Sequence, residues 1–188
     1  MAGGNLTDLP SSMTYVGVVS HYSVSLDFLI VELNYLDILE GDIQNVYLNT
    51  TAKEKISFYT DYEWKYYQGK VVIFVRSLYG LDHSALSWRN HLSEILGNHL
   101  GFQSYLDDPN VWFKVATYKI GNKYYTYILL YVHDLIIVDK DPRKCMDMLE
   151  SKYMVKLSSI GETKVYLGAD VGTVLYGDGS YAWKKSSD

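Results

Sequence analysis

The residues best suited to chemistry are two aspartates and a histidine. Asp42 sits near the end of Leu36-Asp-Ile-Leu-Glu-Gly-Asp-Ile43, and Asp134 follows His133 between two apolar runs, Tyr124 to Val132 and Leu135 to Val138. Aromatic and β-branched residues on both sides predict strands, and the polar break between them predicts a tight hairpin turn. Aspartate is a common turn former, so a solvated turn is one reading of the pair. The other is a metal ligand on a rigid hairpin, because a charge there needs a partner, an ion or water. If the strand carrying Asp42 lies beside this hairpin, the two carboxylates converge on one side of a sheet. Paired hard oxygen ligands suit Mg²⁺, and two-metal phosphoryl transfer places its ions ~3.5–4 Å apart. Two aspartates alone do not identify such a site.

The elements that must position them follow from periodicity. A helix is predicted over Ser23 to Asn34, with Leu26, Leu29, Ile30 and Leu33 on one face. Short strand patterns occupy Leu36 to Ile43, Lys55 to Tyr59 and Lys70 to Val75, and Asp61 to Gly69 reads as a loop. A second helix follows Leu78-Tyr-Gly-Leu81, with Trp88, Leu92, Ile95, Leu96 and His99 sharing a face and Gly101 as its C-terminal glycine. Asp107-Asp108-Pro109 is a turn before a strand from Val111 to Ala116. Pro142 starts a helix through Tyr153, and Lys164 to Leu175 forms a last strand pattern. Helices interleaved with hairpins predict an α+β fold, a mixed sheet with helices on one face.

Composition narrows the classes. At 188 residues the chain has enough length for one domain with a substantial core. Its 48% hydrophobic and 21% charged residues are ordinary for a soluble globular protein. The 19 tyrosines read as half-buried strand residues rather than as base-stacking platforms. Cys145 is the one cysteine, which excludes an internal disulfide and fits a reducing compartment. Beside Met146, Met148 and Leu149 it reads as a small core residue rather than a nucleophile. No signal peptide is visible at the N-terminus, and no apolar run approaches the ~20 residues that span a bilayer. The expectation is an intracellular, soluble chain with no membrane partner. A net charge of −5, from 17 basic and 22 acidic residues, weighs against tight nucleic-acid binding.

Three ordered motifs raise the aspartates above chance. Gly41-Asp-Ile-Gln-Asn-Val-Tyr-Leu-Asn49, Leu78-Tyr-Gly-Leu-Asp-His-Ser-Ala-Leu-Ser-Trp88 and Tyr131-Val-His-Asp134 stand in that order. They resemble the D-V-K-T-A-F-L-N-G, L-Y-G-L-K-Q-S-P-R-A-W and Y-V-D-D motifs of the copia-type retrotransposon reverse transcriptase. The resemblance continues through Gly101-Phe102 with Asp108 downstream, and through Ser159-Ile-Gly-Glu162 and Tyr166-Leu-Gly168. It covers Thr14 to Ala182, between a ragged leader at 1–13 and a tail at 183–188.

The resemblance implies a right-hand polymerase palm with part of the fingers and no thumb. It implies an RNA-directed DNA polymerase with two Mg²⁺ ions (Mn²⁺ as a substitute), a primer–template, deoxynucleotides and the rest of a Pol polyprotein. Asp42 and Asp134 are then metal-binding aspartates, and Ile43 lends a backbone carbonyl. Tyr47 is the gate that excludes a ribose 2′-hydroxyl, Gly80 and Leu81 lie near the nascent base pair, and Leu167 and Gly168 place the primer end.

The departures point the other way. His133 stands where the family has the first hairpin aspartate, whose carboxylate bridges both ions. Asp82 replaces a lysine, Leu86 and Ser25 each an arginine, and Gly17 a proline. The chain begins after the family's first fingers strands and ends before the thumb and ribonuclease H segment. The expectation is a truncated, degenerate domain impaired in catalysis, with a non-catalytic nucleic-acid- or protein-binding module on the palm fold as the alternative.

Overall fold

Ser20 opens the first helix. Its hydroxyl accepts from the Ser23 amide at 3.1 Å, and Tyr35 closes the helix in the left-handed region at φ 50°. In this computed structural model, residues 17–52, 55–79, 83–118, 121–153, 155–162, 165–166, 169–175, 177 and 181–186 are described. They fall into two compact units, one built on 45–93 and one on 17–44 with 94–188.

The larger unit holds helix α1 (His21–Asn34), strand β1 (Asp37–Ile43) and, after the smaller unit, a six-stranded sheet's other members. The smaller unit contributes the hairpin of β2 (Ser57–Tyr59) and β3 (Val71–Ile73), and helix α2 (Ser84–Glu94) follows it. The larger unit continues with β4 (Gln103–Ser104), β5 (Val111–Thr117), β6 (Lys123–Tyr131), β7 (Asp134–Asp139), helix α3 (Pro142–Tyr153) and β8 (Leu157–Gly161). The sheet order is β4-β5-β6-β7-β1-β8, and every pairing is antiparallel. A second sheet joins β9 (Val165–Tyr166), β10 (Ala169–Leu175) and β11 (Tyr181–Ser186), so part of the expected C-terminal tail is strand.

The predicted placement of helices on one face is corrected. Val24, Phe28 and Val31 of α1 bury against Val111, Leu129, Ile136, Val138 and Ile38 on one side of the large sheet. On the other side α3 approaches Gly41 so closely that an added Cβ would lie 3.5 Å from Met146 Cε. The turn after α2 covers the sheet as well, with Trp112 of β5 3.7 Å from the place of a Cβ on Gly97. Leu135 to Val138 of β7 is a continuous buried apolar run, and because successive side chains point to opposite faces, both faces of the sheet are apolar there and need covering.

The predicted apolar face of α1 is corrected too. Val24, Asp27, Phe28 and Val31 face the core, while Leu26, Leu29 and Leu33 are 57%, 53% and 69% exposed. The helix carries apolar residues on two sides, and its N-terminus chooses between them. The Asp108 carboxylate accepts from the Ser20 amide at 2.8 Å and the Ser23 hydroxyl at 2.6 Å, which fixes the rotation. His99, expected beside Trp88 and Leu92, is exposed. One π-turn over Ile95–His99 shifts the helical phase before Gly101 ends the element at φ +73°.

In the smaller unit, Phe58 stacks on Phe74 at 5.2 Å and meets Trp64 edge-on at 5.8 Å. The stretch predicted as a loop holds 3₁₀ turns over Tyr62–Tyr67 with a kink at Lys65. Thr60 closes it, its carbonyl accepting from Gly69 N–H at 2.8 Å.

Candidate metal centre

The β6–β7 hairpin turns on two residues. Tyr131 pairs with Asp134, leaving Val132 and His133 at the tip. Val132 has φ +57°, a strained conformation for a β-branched residue that glycine adopts freely. The Ile43 amide donates to the His133 carbonyl at 2.8 Å, tying the hairpin tip to the end of β1.

Antiparallel register then places Asp42 directly opposite Asp134. Asp42 Oδ2 accepts from the Ser158 hydroxyl of β8 at 2.8 Å, which leaves Oδ1 facing the turn. His133 Nε2 lies 3.7 Å from Asp42 Oδ1 and 3.9 Å from Asp134 Oδ1. One ligand atom from each of the three residues lies within 4.8 Å of the others. All three side chains are partly exposed, so water reaches the cluster.

Charge is crowded here. At that separation two carboxylates repel by about 3 kcal/mol at an effective dielectric near 20, and by less where water screens them. Burial raises the Asp134 carboxyl above its ordinary value, His133 pulls it down and Asp42 pushes it up, with a net rise. Glu40 is raised as well, by burial and then by Asp134. The sequence reading missed Glu40 and Ser158. Glu40 was detectable, because it stands two residues before Asp42 on the same strand face. Ser158 was not, because only the β1–β8 pairing brings its hydroxyl to Asp42.

The other expected site residues fall elsewhere. Ile43 is buried at the end of β1, where its amide makes the bond to His133. Tyr47 belongs to the smaller unit, where its ring meets Tyr79 edge-on at 4.6 Å. Burial, and then Tyr79, raise its hydroxyl above the ordinary phenol value. Gly80, Leu81, Leu167 and Gly168 lie outside the described residues.

The family model for reverse transcriptase (RNA-dependent DNA polymerase) matches residues 11–177. The chain belongs to the reverse transcriptase family. No curated protein and no solved structure matches it. Members of this family act on a template–primer and nucleotides with divalent metal ions. Two carboxylates and an imidazole do not fit a pair of Mg²⁺ ions, because a neutral nitrogen offers neither the oxygen that Mg²⁺ selects nor a second atom to bridge. No helix among the described residues is long and apolar enough to cross a membrane.

Proposed function

We propose that this chain is a copia-type reverse-transcriptase palm with part of the fingers, descended from an RNA-directed DNA polymerase and impaired in Mg²⁺-dependent nucleotidyl transfer. Asp42 and Asp134 are its retained metal-binding carboxylates and Ile43 a nucleotide-side backbone contact. Tyr47 is its ribose gate, Gly80 and Leu81 neighbour the nascent pair, and Leu167 and Gly168 position the primer end. The observation that carries the reading is His133, whose Nε2 stands 3.7 Å and 3.9 Å from the two carboxylates where the family motif has an aspartate.

Phosphoryl transfer depends on positioning and charge stabilisation. Replacing a bridging carboxylate with imidazole weakens both, and a loss on the order of several kcal/mol in the transition state makes turnover negligible. Primer extension on an RNA template, with Mg²⁺ and separately with Mn²⁺, tests this. The expected result is no extension in Mg²⁺. Extension in Mg²⁺ that disappears in Asp42→Asn overturns the reading.

One observation favours a second reading, a nucleic-acid-binding module without catalysis. Tyr59, Tyr62, Tyr66 and Tyr67 of the β2–β3 segment are exposed, and Lys70 lies 4.5 Å over the Tyr66 ring. Exposed aromatics with a cation are a surface on which bases stack. Salt-dependent primer–template binding without incorporation, lost in Tyr66→Ala with Tyr67→Ala, supports it.

A further inference from the structure

We propose that Asp42, His133 and Asp134 form one site for a single borderline transition-metal ion, with Zn²⁺ preferred over Mg²⁺. The inference rests on the reading that His133 makes this cluster unfit for paired Mg²⁺, and it concerns binding alone.

Three features support it. The first is donor chemistry. Imidazole nitrogen with carboxylate oxygen suits Zn²⁺, Co²⁺ and Mn²⁺, whereas Mg²⁺ demands near-octahedral oxygen and gives up its water reluctantly. The second is spacing. Zn²⁺ with bonds of about 2.0–2.1 Å in tetrahedral geometry separates its ligand atoms by about 3.4 Å. The observed 3.7 Å and 3.9 Å from His133 Nε2 to the two carboxylates are therefore within about half an ångström of that spacing, and the carboxylates, within 4.8 Å of each other, close on an ion by at most about 1.4 Å. His133 is half-exposed at a hairpin tip, so its ring is free to make that adjustment.

The third is orientation. Ligating carboxylates are usually held by an outer hydrogen bond that fixes the binding oxygen. Ser158 does this for Asp42 by bonding Oδ2, and Oδ1 is the atom near His133. The His133 backbone is held in turn by the Ile43 amide. Three protein ligands leave at least one position to water, the arrangement of an open rather than a closed metal site.

The test uses untagged full-length chain stripped of metal, without nucleotide or nucleic acid. Zn²⁺, Co²⁺ and Mg²⁺ are titrated separately by calorimetry, with visible absorption reporting Co²⁺ coordination. The expected result is one Zn²⁺ per chain, bound at least tenfold more tightly than Mg²⁺. His133→Ala weakens Zn²⁺ at least tenfold, and His133→Asp removes the preference for Zn²⁺ over Mg²⁺. Circular dichroism confirms that each variant is folded, and Ser158→Ala serves as a second variant that weakens Zn²⁺ without removing a ligand. Zn²⁺ affinity unchanged in His133→Ala places the ion away from His133 and overturns the proposal. So does Mg²⁺ binding as tightly as Zn²⁺, or no Zn²⁺ binding at millimolar concentration. Polymerase activity in Mg²⁺ contradicts the functional reading while leaving these binding outcomes distinct.

Discussion

Asp27 occupies the middle of the buried face of α1 at 5% exposure, and among the described residues no donor reaches its Oδ2. Burial, and then the nearby Asp108 carboxylate, push its carboxyl up from 3.8 to about 7. Between about pH 4 and 7 the folded chain therefore holds a proton that the unfolded chain has already released. Stability falls as pH rises through that window, by about 4 kcal/mol in all at roughly 1.4 kcal/mol per unit. Asp108 has the opposite sign. Burial raises it, but bonds from Ser23, Ser20 and Asn110 outweigh that and hold it below the ordinary value. Its contribution is present above about pH 4 and is lost only below it. Thermal melts at pH 5 and pH 8 separate the two. The melting temperature of the unaltered chain falls between them, and Asp27→Asn removes most of that fall. An unchanged slope in Asp27→Asn contradicts the assignment. At the hairpin tip, Val132→Gly relieves the strain of φ +57° and, after glycine's own entropic cost, stabilises by about 1 kcal/mol in denaturant melts.

At the scale of elements, the link from Asp108 to the start of α1 decides which helix face is buried. Ser23→Ala removes the hydroxyl bonded to Asp108 at 2.6 Å and destabilises by about 1–2 kcal/mol, measured by urea unfolding. This link also marks where sequence reasoning stopped. Asp27 interrupts the true buried stripe, so Leu26, Leu29 and Leu33 formed the more regular pattern, and the loop carboxylate that reverses the choice lies far along the chain. Elements with local signals were legible: α3 begins at Pro142, Gly101 ends its helix, and the β6–β7 hairpin turns beside His133. Asp42 opposite Asp134 was legible only as a condition: both stood at strand ends, and the β1–β7 pairing that makes the strands neighbours carries no local signal. Helices on both sheet faces were not, because near-continuous apolar runs such as Leu135 to Val138 do not say what covers each face.

At the scale of the molecule, a net charge of −5 and exposed apolar residues set the behaviour in solution. Leu26, Leu29 and Leu33 with Tyr22 form an exposed stripe along α1. A contiguous exposed stripe of this kind favours association. The expected result is marginal solubility for the chain expressed alone, improved by Leu26→Lys with Leu33→Glu in light scattering. A sharp monomer peak from the unaltered chain with a cooperative melt contradicts this. The loss of Mg²⁺-dependent polymerisation turns on His133, and it is measured by primer extension by His133→Asp beside the unaltered chain and Asp42→Asn, on an RNA template in Mg²⁺. Extension by His133→Asp and none by the other two is expected. Extension by the unaltered chain, abolished in Asp42→Asn, would show that His133 is a tolerated ligand and that the domain still polymerises.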